Sequence, residues 1–137
     1  LARAEHTRML LSRKLAARDF PEDAVRLALD QLEGEGALSE GRYAAAWLRS
    51  RLSRGPRGPF ELVAGLRARG VPAAVAQGAL KEGFGPEERA RSIAALARGK
   101  FRALPADEAS RRIRSLGFSA AEVREALERE GGTGPDS

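Results

Sequence analysis

The sequence predicts an all-α protein of tandem three-helix repeats, about eight short helices with the first repeat incomplete, in an elongated, curved array. Three observations carry this. First, one phrase recurs: FPEDAVRLAL at 20–29, VPAAVAQGAL at 71–80 and FSAAEVREAL at 118–127. Each opens on an apolar residue (Phe20, Val71, Phe118) and closes on Ala-Leu, and an aliphatic stands five positions upstream (Leu15, Leu66, Ile113). The steps of 51 and 47 residues fall in the range where each unit covers its neighbour's apolar face. Second, apolar residues recur at helical spacing, and no stretch alternates with period 2. Third, Gly and Pro punctuate the chain at helix ends.

The elements follow in order. Thr7 can cap a helix over 8–18 that places Leu11 and Leu15 on one face. Pro21 suits the first turn of the next helix, where its missing N–H costs nothing. Val25, Ala28, Leu29 and Leu32 make its stripe, and Gly34 and Gly36 end it. Ser39 caps a helix over about 40–54, with Tyr43, Ala44, Trp47 and Leu48 turned inward. The run RGPRGP at 54–59 breaks it. Pro59 starts a helix to Arg69 with Leu62 and Leu66 inward; Gly70 stops it and Pro72 starts the next, to about Gly83. Pro86 opens a helix to about Arg98 with Ala90, Ile93, Ala94 and Ala97 inward, and Pro105 opens one to about Ser115 with Ala109 and Ile113 inward. Ser119 and Glu122 form a capping box for the last helix, to about Glu130. The organisation expected is an incomplete first repeat at 1–35, a basic second repeat at 36–85, a third at 86–130 and a disordered tail at 131–137.

Composition narrows the function classes. There is no Cys, which removes disulfides, thiol catalysis and Cys-ligated metals and fits a cytoplasmic location. No apolar run approaches the ~18 residues that span a membrane. The one histidine, His6, has no Ser or Cys partner at a catalytic spacing. The acidic pairs Glu22-Asp23, Glu87-Glu88 and Asp107-Glu108 sit in first helical turns, where they complement the helix dipole. The Gly-rich break lacks GxxxxGK[ST], and nothing has the ligand spacing of a metal site. No enzyme activity, cofactor or metal is expected.

Charge is uneven. The chain is +5 overall, and residues 42–69 hold seven Arg against one acid, Glu61. Arg42, Arg49 and Arg51 lie on the third helix, Arg54 and Arg57 on the break, and Arg67 and Arg69 at the end of the fourth. Two readings stand: a binding patch for phosphates or an acidic protein surface, or solvated helix ends favoured by the dipole.

The ordered set of residues resembles the RecX family, bacterial regulators of the RecA recombinase. The likeness runs from about residue 1 to 130. It rests on Leu15 to Phe20, Leu32-Glu33, Leu38 through Tyr43-Ala44, Arg51, Gly58-Pro59, Leu66 to Gly70, and RRIRSLGFSAAEVREAL with Phe118. Phe60 and Glu61 depart from it, because basic or polar residues usually follow the Gly-Pro step in this family; Ser39 stands where an acidic residue is usual. The resemblance implies a non-enzymatic protein that binds the RecA filament on single-stranded DNA and lowers its ATPase, strand-exchange and coprotease activities; a monomer is expected. Weak direct DNA contact is a further expectation. The contact set expected is Arg51, Arg54, Arg57, Arg67 and Arg69, with Arg42 and Arg49 beside them. The alternative is a small basic nucleic-acid-binding protein acting without RecA.

Overall fold

The computed structural model describes residues 7–34 and 39–131. Among these there are eight helices and no strand. They are α1 (Arg8–Ala16), α2 (Glu22–Gly34), α3 (Glu40–Leu52), α4 (Pro59–Ala68), α5 (Ala73–Gly83), α6 (Pro86–Arg98), α7 (Ala106–Arg114) and α8 (Ala120–Gly131). His6, the boundary at 35/36 and residues 132–137 of the expected tail lie outside the described residues; Gly131 belongs to α8.

The caps read from sequence are formed. The Leu10 N–H donates to Thr7 Oγ1 at 3.1 Å and the Arg42 N–H to Ser39 Oγ at 3.1 Å. At α8 the box closes both ways: the Glu122 N–H donates to Ser119 Oγ (3.1 Å) and the Ser119 N–H to the Glu122 carboxylate (2.6 Å). These bonds satisfy amides that the first turn of a helix otherwise leaves without partners. Gly70 and Gly117 take φ of +91° and +111°, a region that L side chains avoid, so both helices stop there.

α3 packs chiefly on α5, and α6 on α8; the shorter α4 and α7 brace α5 and α8 in turn. One core runs through all six, from Ala44 and Leu48 through Leu66, Val71 and Phe84 to Ile113, Phe118 and Val123. The rings of Phe84 and Phe118 tilt at 55° with centroids 6.2 Å apart across the α5–α8 seam, a favourable aromatic arrangement. α1 and α2 keep a separate small cluster of Leu11, Val25 and Leu29, with Leu15 and Leu32 alongside.

This separation breaks the equivalence of the three echoes. Val71 and Phe118 are buried, whereas Phe20 is 52% exposed and Leu27 68% exposed. Ala28, expected in the inward stripe, also faces solvent. The physical reason is a difference in neighbours. α5 has α3 along its flank and α8 has α6, while α2 has only α1 among the described residues. The side of α2 that carries Leu27 and Ala28 therefore meets no other helix among the described residues.

Candidate interaction surface

Trp47 organises the cations of the middle region. It lies one turn after Tyr43 on α3, half-buried against the main core. α4 crosses it at Gly65, where an added Cβ would stand 2.5 Å from Trp47 Cη2. The ring can lie there only because Gly65 has no side chain. Two guanidiniums then cover the indole: Arg51 at 4.9 Å from the ring centroid and Arg69 at 5.1 Å. Such cation–π contacts are worth about 0.5–1 kcal/mol each at exposed sites. Arg69 is fixed further, since its Nη1–H donates to Gly65 O at 2.9 Å. Its carbonyl, one residue past α4, accepts the Thr7 hydroxyl at 2.6 Å.

Thr7 is fully buried, and its hydroxyl serves two helices at once, capping α1 and closing the end of α4. Around it the Arg8 N–H donates to Glu40 Oε1 at 3.1 Å. An added Cβ on Gly70 would meet Met9 Cβ at 2.6 Å, so the helices approach to backbone distance. The Arg8 guanidinium reaches Asp30 (2.8 Å) and Glu33 on α2. Hydrogen bonds to Asp30 and then Glu33 hold it above its ordinary pKa.

The seven arginines singled out by sequence do not form one patch. Arg51 and Arg69 meet on Trp47. Arg57 is paired with Glu61 at 3.1 Å across one helical turn. Arg54 is exposed in the turn beyond the end of α3, its N–H donating to Arg51 O at 3.1 Å. Arg49, two residues after Trp47, points about 200° away. It lines a groove between α3 and α5 with Gly41, Ala45, Val75 and Gly78. Arg42, one heptad before Arg49, shares that side. Arg67 stands two residues after Gly65, which turns it about 200° from the Trp47 contact. Among the described residues Arg49, Arg54 and Arg67 have no carboxylate within ion-pair distance.

A two-pronged ion pair lies elsewhere. Arg89 Nε and Nη2 donate to the two oxygens of Glu122 at 2.7 Å each, joining α6 to α8. The guanidinium covers Phe84 and Phe118 at 5.6 and 5.3 Å. The hydrogen bonds that Arg89 donates to Glu122 hold the Glu122 carboxyl below the usual range and Arg89 above its own. A fork-on-carboxylate pair over two core rings is a brace between helices. Among the described residues no group of His, Asp and Glu could hold a metal, and no helix is long and apolar enough to cross a membrane.

Known proteins match this arrangement. Residues 39–80, which hold α3, α4 and most of α5, fit the family model for the second three-helix domain of RecX. A regulatory protein RecX of Halorhodospira halophila is 40% identical over 131 residues, covering 92% of this chain and 80% of its own length. That of Chromohalobacter salexigens is 39% identical over 132 residues, covering 93% and 85%. A crystal structure of RecX from Lactobacillus salivarius superposes with a TM-score of 0.78 at 18% identity, over 94% of this chain and 88% of that one. A second, titled regulatory protein RecX, gives 0.78 at 24% identity, over 92% of this chain and 65% of that one. The solved structures speak for the fold, and the two relatives extend the likeness to sequence along more than nine-tenths of this chain and at least four-fifths of theirs: this chain belongs to the RecX family.

Proposed function

We propose that this protein is a non-enzymatic regulator that binds the RecA filament on single-stranded DNA and lowers its ATPase, strand-exchange and coprotease activities. Family membership along nearly the whole chain carries this reading. The surface supports it. Two guanidiniums held on Trp47, with Arg54 beyond them, offer fixed donors for carboxylate or phosphate. Holding them in advance lowers the entropy lost on binding. The working units are the three segments 1–35, 36–85 and 86–130, with the binding face on the middle one. The mechanism is differential affinity: a protein that favours one filament state shifts the population toward it. The protein works as a cytoplasmic monomer.

The test is ATP hydrolysis by RecA on single-stranded DNA, titrated with this chain. Inhibition well below the concentration that coats the DNA is expected. Glu at Arg51, Arg54 and Arg69 together should abolish it with helicity unchanged, while Glu at Arg42 and Arg49 should cost far less. Equal loss from both sets would sink the assignment to the Trp47 face. Inhibition only at DNA saturation would replace filament recognition by competition for DNA.

A further inference from the structure

Phe60 is 66% exposed. The other large exposed apolar residues among those described are Phe20, just before α2, and Leu27 on α2, a helix that packs only on α1 among the described residues. Phe60 has no such reason, because α4 is built into the main core through Leu62 and Leu66. The residue is nevertheless held. Its N–H donates to Leu116 O at 3.0 Å. Its ring rests on Gly117, where an added Cβ would come within 2.8 Å of the ring. The result is an aromatic plate with one side seated and the other open.

The plate stands at the lip of a groove of about 430 Å³ between α4, α5 and the start of α6, with Val63, Gln77, Lys81 and Arg89 among its lining. No carboxylate lines it. The Arg89 guanidinium is held by Glu122, so the available cation is Lys81, one turn after Gln77 on the same side of α5. Arg67, seven residues after Phe60, continues the same side of α4 and is likewise without an ion pair among the described residues.

The geometry points to a single-strand nucleic-acid subsite: a base stacks on the open side of Phe60, Gln77 faces base edges, and Lys81 and Arg67 meet the backbone phosphates. The lining carries Lys81 and the Glu122-held Arg89 and no carboxylate of its own, so its complement is a polyanion. A ring standing free at a lip suits stacking, which is sequence-tolerant because every base offers a π-face. A protein anchor would instead call for a closed, desolvated pocket. This surface is distinct from the Trp47 face, since Phe60 and Arg67 lie on the opposite flank of α4 from Gly65.

The test omits RecA, so its outcome is independent of the filament reading. Fluorescence anisotropy would follow a labelled dT oligonucleotide and an abasic oligonucleotide of equal length, each over a salt series. Phe60→Leu keeps apolar bulk on Gly117 and removes the ring; Phe60→Tyr keeps the ring. The expected result is about tenfold weaker dT binding by the Leu variant, near-parent binding by the Tyr variant, and abasic binding by the parent as weak as dT binding by the Leu variant. Lys81→Ala should lower the salt slope by about 0.7. Equal dT affinity for parent and Leu variant, equal affinity of the parent for dT and abasic strands, or no dT binding would each overturn the proposal. So would displacement of dT by poly-glutamate as effective as by unlabelled dT, which would mark the groove as a reader of charge alone.

Discussion

Thr7→Val should release the first two helices while leaving the other six in place. Valine keeps the shape of a side chain that is fully buried and removes one hydroxyl. That hydroxyl accepts from the Leu10 N–H and donates to Arg69 O. Loss of a Thr cap costs about 1 kcal/mol. The Arg69 carbonyl, left without its donor in a partly buried site, costs about 1–2 kcal/mol more. The total of about 2–3 kcal/mol falls on a unit whose own buried cluster is only Leu11, Val25 and Leu29. Every 1.4 kcal/mol is a factor of ten, so amide protection in α1 and α2 should fall roughly 30- to 150-fold. Native-state hydrogen exchange reads this helix by helix. Protection in α3–α8 should stay within about twofold, because their core is continuous without α1 and α2. A uniform fall through all eight helices would refute the reasoning, showing that the two cores unfold as one; no fall in α1 would show that the Thr7 bonds carry no weight.

Three further outcomes follow from packing and charge. Gly65→Ala gains about 1 kcal/mol of helix propensity and loses about 1–3 kcal/mol to overpacking against Trp47, a net loss near 1 kcal/mol; emission of the only tryptophan should shift as its ring leaves the stack, and an unchanged spectrum would count against the geometry. Glu122→Gln should cost about 1 kcal/mol near pH 7, between exposed and buried pair values. The native Glu122 carboxyl lies below its unfolded value, so its contribution is present above the unfolded pKa of about 4.3 and is lost as pH falls through the lower native one; the gap between parent and variant in denaturant midpoints should therefore close below about pH 4, and a gap that widens on acidification would contradict the pairing. Phe118→Ala should cost about 3–5 kcal/mol, whereas Phe20→Ala at the matching place in the echo should cost under about 0.5 kcal/mol, and equal costs would mean that α2 is covered after all.

The helices were legible because the chain marks them locally. Proline and glycine punctuate them, Thr7, Ser39 and Ser119 cap them, and Leu11, Leu62, Leu66 and Ile113 recur at helical spacing. Each mark acts within one turn, so the ends shift by no more than about two residues. Burial in the first unit was not legible, because the echo of Phe20 and Phe118 records a similar residue and not a similar neighbour. The arginine cluster was half legible. Sequence proximity collected seven residues, and helix geometry then sent Arg42 and Arg49 to one flank of α3 and Arg51 to another. The pairing of Arg51 with Arg69 depends on Gly65 meeting Trp47, a contact between two helices. A glycine at that point of a helix is a visible signal of close approach, and Gly65 in the middle of LVAGLRARG could have been read as one.

Arg69 joins the stability of the first unit to the binding face. Its carbonyl holds Thr7, its Nη1–H holds the α4 backbone, and its guanidinium covers Trp47. Two of the three contacts remain in Thr7→Val, so the cation should stay on the ring even when α1 and α2 open. The variant therefore separates two roles for the first unit. If Trp47 and its guanidiniums alone recognise the filament, Thr7→Val should inhibit RecA within about twofold of the parent while its α1 and α2 exchange freely. If α1 and α2 also touch the filament, binding must restore their order, and affinity can fall by as much as the 30- to 150-fold lost in local stability. An intermediate loss measures how much of the first unit the filament orders. A loss beyond that range would exceed what local opening can supply and would mean that the Arg69 guanidinium had moved with its carbonyl, which emission from Trp47 in the same variant would report.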